Sequence, residues 1–451
     1  MKNGDIIELK IEKIVYSGAG LGFYDGIAVF IKKTVPEDIV RARLTKLKKS
    51  YAEARLIEVI EPSPHRTKPI CPLQNACGSC NLQFVDYEFL IEQKEQMLYE
   101  AFRDNLPKEK FLPFEKSPKT ENYRKKAQYP IGETKNSKRI LAGYYREQTH
   151  EITNIKFCPI QPPVFDKLID FIRENWEFGA WCKYNKNGLL RQVVARINNA
   201  GEIMLTLVLK CETLPKKIDL SKFQEKLQKE FPEIVSLYLN FNPTEGNRIL
   251  GEKFELIYGE GTLRETLEYK DNKKEYKIGA ESFFQTNPAC ASQIFSYIKE
   301  HTQGDKTILD AYGGVGAIGI WVSDETKKIA LVEENKNAIQ MAKENFKLNN
   351  IKNYEVYEGD AKVQLNNFYI KKKTFDCAII DPPRKGSDKG ALDILTKITD
   401  KIIYMSCNPE TLARDVKILE EKGFECESVK GFDMFPWTHH IEAVAIIRKK
   451  K

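Results

Sequence analysis

No stretch of this 451-residue chain stays apolar for long enough to cross a bilayer. A spanning helix needs about 20 apolar residues, and runs such as Ile203 to Leu209 fall far short. Met1 is followed by charged and polar residues rather than the apolar core of a secretory leader, so a cytoplasmic location with no membrane partner is expected. The chain also lacks a strong excess of one charge. A net charge of +7 permits a polyanionic partner without requiring one. Ten cysteines make a poor disulfide framework in a reducing compartment, so clustered ones read as metal ligands or reactive thiols. What remains, 42% hydrophobic and 30% charged, is an ordinary globular composition with room for two to four domains.

Residues 1–61 read as short strands. Ile7, Leu9 and Ile11 alternate with Glu8, Lys10 and Glu12, and Gly18, Gly20, Gly22 and Gly26 mark turns. Further strand patterns at Ile27 to Ile31, Ile39 to Leu44 and Ala52 to Ile60 predict a five-stranded barrel of the oligonucleotide-binding (OB) type. Lys32, Lys33, Arg41, Arg43, Lys46, Lys48 and Lys49 gather positive charge on it, with Tyr51 as a stacking platform. RNA contact is expected there, against the blander alternative of a solvated basic face.

After a stiff linker (Pro62, Pro64, Pro69) comes CPLQNACGSC. Cys71, Cys77 and Cys80 need a fourth donor, and Cys158 in FCPIQPP is the best candidate. Cys182, Cys211, Cys290, Cys377 and Cys426 stand singly within predicted elements. Spacing alone does not separate zinc from an iron–sulfur cluster, since both use four thiolates. An amphipathic helix follows over Asp86 to Leu106, with packing on the C-terminal domain as one placement for it. In NYRKKAQYPIG, Arg124, Lys125 and Lys126 interleave with Tyr123 and Tyr129, a pattern suited to phosphate contact and base stacking, or to a solvated sheet edge. Alternating strands with a helix near Ser221 to Glu230 complete a central α+β domain, residues 62–277, which has no other chemistry of its own.

Over residues 278–451 strands and helices alternate, which predicts an α/β, doubly wound sheet. Its first strand runs into Tyr312 and a glycine turn at Gly313, Gly314 and Gly316. The next strands end on Glu333, Asp360 and Asp381, at the carboxyl edge where such sheets bind ligands; Glu333 is placed to accept ribose hydroxyls. A later strand ends on Ser406 and Cys407, with Asn408 and Pro409 opening a helix. A cysteine so placed is expected to have its thiol pKa lowered by free backbone N–H groups, as suits a nucleophile.

Together SFFQTN, DPPRKG, SCNPETLARD, HHIEAVA and the four cysteines resemble the RNA uracil-5-methyltransferases, in particular the branch with an N-terminal TRAM barrel and an iron–sulfur cluster. The likeness covers nearly the whole chain. It implies a Rossmann-like class I methyltransferase domain and makes Cys407 the nucleophile and Glu442 the base. It assigns S-adenosylmethionine to Gln285, Tyr312, Glu333 and Asp381, and a [4Fe-4S] cluster to Cys71, Cys77, Cys80 and Cys158. His439 and His440 compete as base, and Phe283 or Phe284 can stack on a flipped nucleobase. Gly313 departs from relatives that carry cysteine or serine there. The implied substrate is a uridine of 23S rRNA, modified by a monomer. The alternatives are tRNA, cytosine carbon 5, or a non-enzymatic iron–sulfur RNA-binding protein.

Overall fold

A computed structural model of the protein describes residues 1–134, 137–181, 187–324 and 327–450; Cys182 lies outside them. Strands Ile6–Ile14, Ala19–Tyr24, Ile27–Lys32, Ile39–Leu47 and Tyr51–Glu61 close into a barrel. The alternation seen in the sequence decides which side chains enter it: Ile7, Leu9 and Ile11 point inward with Val29, Ile31, Val40 and Leu44. Much of the barrel's positive charge is paired within the chain. Lys32 meets Glu147, Arg41 meets Glu8 and Glu58, and Lys46 meets Glu53.

The central part is a seven-stranded sheet whose middle strands, Leu190–Ile197 and Ile203–Leu209, are buried on both faces. Helices Pro163–Asn175 and Ser221–Glu230 cover it through Phe165, Leu168, Phe223 and Leu227. Tyr123 and Tyr129, which suited base stacking or a solvated sheet edge, are instead buried in packing. Tyr123 donates to the Pro436 carbonyl (3.1 Å) and Tyr129 to Gln161 Oε1 (2.5 Å).

The third part is the expected Rossmann-like sheet. Its spatial order is Tyr354–Glu358, Lys328–Glu333, Thr307–Ala311, Cys377–Ile380, Lys401–Ser406, Glu442–Lys449, Phe424–Phe432 and Phe111–Glu115. The first five strands are parallel, and Glu442–Lys449 runs antiparallel between its two neighbours. The eighth strand corrects the expected boundaries: Phe111–Glu115 pairs with Phe424–Phe432, so residues 62–277 are not one packing unit. Helix Tyr87–Phe102, started by the Asp86 side chain on the Phe89 N–H, buries Leu90, Leu98 and Phe102 in the same core as Leu412, Val416 and Phe424. An open edge on Phe424–Phe432 is thereby paired and covered.

Candidate active site

A cavity opens at the carboxyl edge of this sheet, lined by Phe283, Gln285, Asp310, Tyr312, Gly313, Gly314 and Asp381 among others. The turn that forms its floor is strained: Tyr312 has a φ of +64°, a region that side chains other than glycine seldom occupy. At Gly313 a Cβ would come within 2.6 Å of the Leu331 side chain, which accounts for glycine at this position of the chain. Gly314, Gly316 and Gly319 carry a Gly-x-Gly-x-x-Gly spacing that also suits dinucleotides, so the turn alone does not choose the cofactor. Glu333 is outside the lining but accepts the Gly314 N–H (2.9 Å) and those of Glu334 and Asn335. Of the four residues expected to hold the cofactor, Gln285, Tyr312 and Asp381 thus meet in one cavity, with Glu333 bonded to its wall. Both Phe283 and Phe284 line the cavity: Phe284 is buried and packs against Tyr276, whereas Phe283 is 69% exposed.

Cys407 ends strand Lys401–Ser406 and stays half-buried. Ser406 pairs with Ala443 in the antiparallel register, so Cys407 lies beside Glu442 on the next strand. Glu442 is only 4% exposed; burial and the neighbouring Asp381 push its carboxyl well above the usual range, opposed by Arg384. Asp381 is pushed up as well, by burial. Two carboxyls this close titrate as a pair and favour holding one proton between them.

The lowered thiol pKa expected for Cys407 is not found. Burial, then Glu442 and Asp381, push the thiol up to about 11, and only Arg384 favours the thiolate. The helix gives no help because Asn408 caps it: its side chain takes the Glu410 (3.0 Å) and Thr411 N–H groups. Arg384 is kept in place by backbone anchors. Asn408 Nδ2 and Thr411 Oγ1 donate to its carbonyl, and buried Asp415 accepts the Ser387 N–H and the Tyr404 hydroxyl.

Residues 433–441, which lead into Glu442, are pinned from four sides. Buried Lys94 donates to Asp433 (2.6 Å) and to the Phe435 and His440 carbonyls. Tyr87 donates to Asp433, Asn287 to the Met434 carbonyl, and the Trp437 indole to Thr120. Asn81 accepts the His439 N–H and contacts its Nδ1 at 2.8 Å. Burial depresses His439 to about 4 and His440 to about 3, so both are weak bases; the buried carboxyl suits that role better.

Cys71, Cys77, Cys80 and Cys158 line a second, small cavity together with Gln74 and Gln83. Burial and neighbouring thiols push Cys80 up to about 12, and burial raises Cys71 and Cys158 also. Gln83 Oε1 accepts the Cys71 N–H at 3.0 Å, and the Gln83 side chain also bonds to the Cys80 thiol. Among the described residues no three His, Cys, Asp or Glu side chains stand close enough to hold a single metal ion as placed.

A family model described as tRNA (Uracil-5-)-methyltransferase matches residues 247–450, and a TRAM domain model matches residues 1–57. An uncharacterised RNA methyltransferase of Halalkalibacterium halodurans is 35% identical over all of this chain and 98% of its own length. The chain belongs to the RNA uracil-5-methyltransferase family. A Synechocystis relative, also an uncharacterised RNA methyltransferase, is 33% identical over 99% of this chain and 96% of its own. Among solved structures, the Pyrococcus abyssi tRNA (uracil-54, C5)-methyltransferase in complex with S-adenosyl-L-homocysteine is 27% identical, with a TM-score of 0.75 over 98% of this chain and 100% of that one. This methyltransferase is therefore an S-adenosylmethionine-dependent enzyme with RNA as its substrate. Two residues near Cys407 escaped the sequence reading. Arg384 had a signal, its place in DPPRKG, whereas Tyr16, whose hydroxyl donates to the Cys407 carbonyl at 3.0 Å, had none at a separation of 391 residues.

Proposed function

We propose that the methyltransferase acts on carbon 5 of a uridine through a covalent adduct with Cys407. One observation carries this reading: a half-buried thiol ends a strand beside the dry carboxyl of Glu442 and in the field of Asp381, which also lines the cofactor cavity. Uracil carbon 5 is too weak a nucleophile to take a methyl group unaided. Addition of the Cys407 thiolate to carbon 6 forms a C–S bond and moves an electron pair into an enolate, which makes carbon 5 nucleophilic. After methyl transfer Glu442 takes the carbon 5 proton, the C–S bond breaks, and the thiolate returns to Cys407. S-adenosylmethionine, when bound, would supply the methyl group on a positive sulfonium. Gln285, Tyr312 and Asp381 would hold it in the cavity, with Glu333 at the wall. Arg384 favours the thiolate, and the exposed ring of Phe283 would stack on the flipped base.

The reading extends to a [4Fe-4S] cluster on Cys71, Cys77, Cys80 and Cys158. Its support is chemical: four thiols line one pocket, and their ionised forms oppose each other. A single zinc ion would draw the sulfurs to within about 4 Å of one another, given a Zn–S distance of about 2.3 Å. The proposed substrate is 23S rRNA, supported by the pairing of this quartet with a TRAM barrel. The similarity to an enzyme of tRNA uracil 54 favours tRNA as the second reading. Mapping methylated uridines in rRNA and tRNA from cells with and without the gene tests both. A modified uridine that persists without the gene in both RNA classes overturns the proposal.

A further inference from the structure

We infer that the N-terminal barrel is part of the active site, with Tyr16 as the positioning residue that holds the Cys407 backbone for attack. The inference rests on Cys407 being the nucleophile.

Tyr16 lies between the first two barrel strands, Ile6–Ile14 and Ala19–Tyr24. Its hydroxyl donates to the Cys407 carbonyl (3.0 Å), a contact between the RNA-binding barrel and the tip of a strand in the catalytic sheet. The phenol is half-buried there, and Cys407, Arg384 and Glu442 all act on its ionisation, so it stands among the reacting groups. That carbonyl follows the last strand pairing, Ser406 with Ala443, and precedes the helix begun at Asn408. Beyond the ladder the peptide has no strand partner, and the Tyr16 bond fixes its plane and with it the direction of the Cα–Cβ bond.

Tyr16 is itself held. Its ring meets the edge of His439 with centroids 5.8 Å apart, and His439 is fastened by Asn81, the residue after Cys80. At Gly18 a Cβ would come within 2.2 Å of Asn81 Nδ2 and 3.3 Å of the His439 Cβ, so the barrel turn, the cysteine loop and the segment before Glu442 meet without room for a side chain. Lys13 on Glu100 and the Ile14 N–H on Gln93 (3.2 Å) fasten the same end of the barrel to helix Tyr87–Phe102. The nucleophile thus takes its position from a joint of three chain segments.

Tyr16→Phe removes the hydroxyl and keeps the ring against His439. In the full-length enzyme, with RNA containing 5-fluorouridine, adduct formation is expected to slow by about 10- to 100-fold at saturating RNA, because a small misplacement of a reacting atom costs that much. RNA affinity, measured with S-adenosylhomocysteine present, is expected to stay within about twofold of wild type. An unchanged adduct rate overturns the inference. So does a loss of RNA affinity with a normal rate at saturation, which would make Tyr16 an RNA contact. Cys407→Ala run alongside separates the two levels: an adduct that survives it refutes the nucleophile itself. If Tyr16→Phe lowers the amount of folded protein, His439→Asn provides the second measurement. It removes the ring edge and keeps the hydroxyl, and adduct formation is expected to slow again with RNA affinity retained.

Discussion

The raised thiol of Cys407 makes a prediction that can be read without any RNA. With its pKa pushed from the ordinary 9.0 to about 11, Cys407 carries about a hundredfold less thiolate at pH 8 than an unperturbed thiol. Each thiolate is more nucleophilic in return, by roughly 6- to 10-fold for two pKa units at a Brønsted slope of about 0.4–0.5. Alkylation of Cys407 by iodoacetamide in the free enzyme is therefore expected to run about 10- to 15-fold slower at pH 8 than that of a model thiol. Following the Cys407 peptide by mass spectrometry from pH 7 to 11.5 gives the apparent pKa directly. Glu442→Gln removes the larger of the two carboxyl contributions, so the profile should move down from about 11 and still stay above 9, since burial is the leading cause. An apparent pKa at or below about 8 in the wild-type enzyme would refute the reasoning, because it would mean that the helix N-terminus and Arg384 outweigh burial and the carboxyls.

Four further outcomes are expected. Glu442→Gln should lower turnover by about 100-fold or more and accumulate a protein–RNA species stable to denaturing electrophoresis; normal product release would remove Glu442 from the base role. The same substitution should raise the melting temperature at pH 8 but not near pH 4. A carboxyl whose folded pKa is raised loses stability as pH rises through its unfolded value, so an equal gain at both pH values would contradict its burial as an acid. Phe283→Ala should raise the RNA KM by roughly 5- to 150-fold, the worth of one stacked base, while Phe284→Ala should cost about 3–5 kcal/mol of stability, read by denaturant unfolding. Protein purified without air should be brown and carry about four irons and four sulfides per chain; a colourless protein with stoichiometric zinc would overturn the cluster.

Much of the site was legible because it lies at the ends of strands. Alternation placed the strand that ends at Asp381, the apolar run before Ser406 placed Cys407, and the glycine turn placed Tyr312. Each needed only local pattern and the rule that open α/β sheets bind ligands at their carboxyl edge. Local pattern misled where a neighbour decided the matter. Tyr123 and Tyr129 look like stacking residues beside basic side chains, yet both are buried: Tyr123, ahead of the strand, meets Pro436, and Tyr129, on strand Lys126–Glu133, meets Gln161. The thiol of Cys407 was expected to be acidic because a helix begins beside it, but Asn408 takes the N–H groups and Glu442 arrives from a strand 35 residues later. Tyr16 and strand Phe111–Glu115 had no signal, since both act through partners more than three hundred residues away.

That last strand has a consequence for how the molecule comes into being. Phe111 leaves the ribosome more than three hundred residues ahead of Val429, its neighbour in the sheet, and helix Tyr87–Phe102 waits as long for Leu412 and Phe424. The early half must keep greasy surface unpaired until nearly the whole message has been read, and such long-range closure is slow. A prematurely terminated product would therefore be no smaller working enzyme but a substrate for chaperones and proteases, and grafting residues 278–451 onto another carrier would leave the sheet with a raw border.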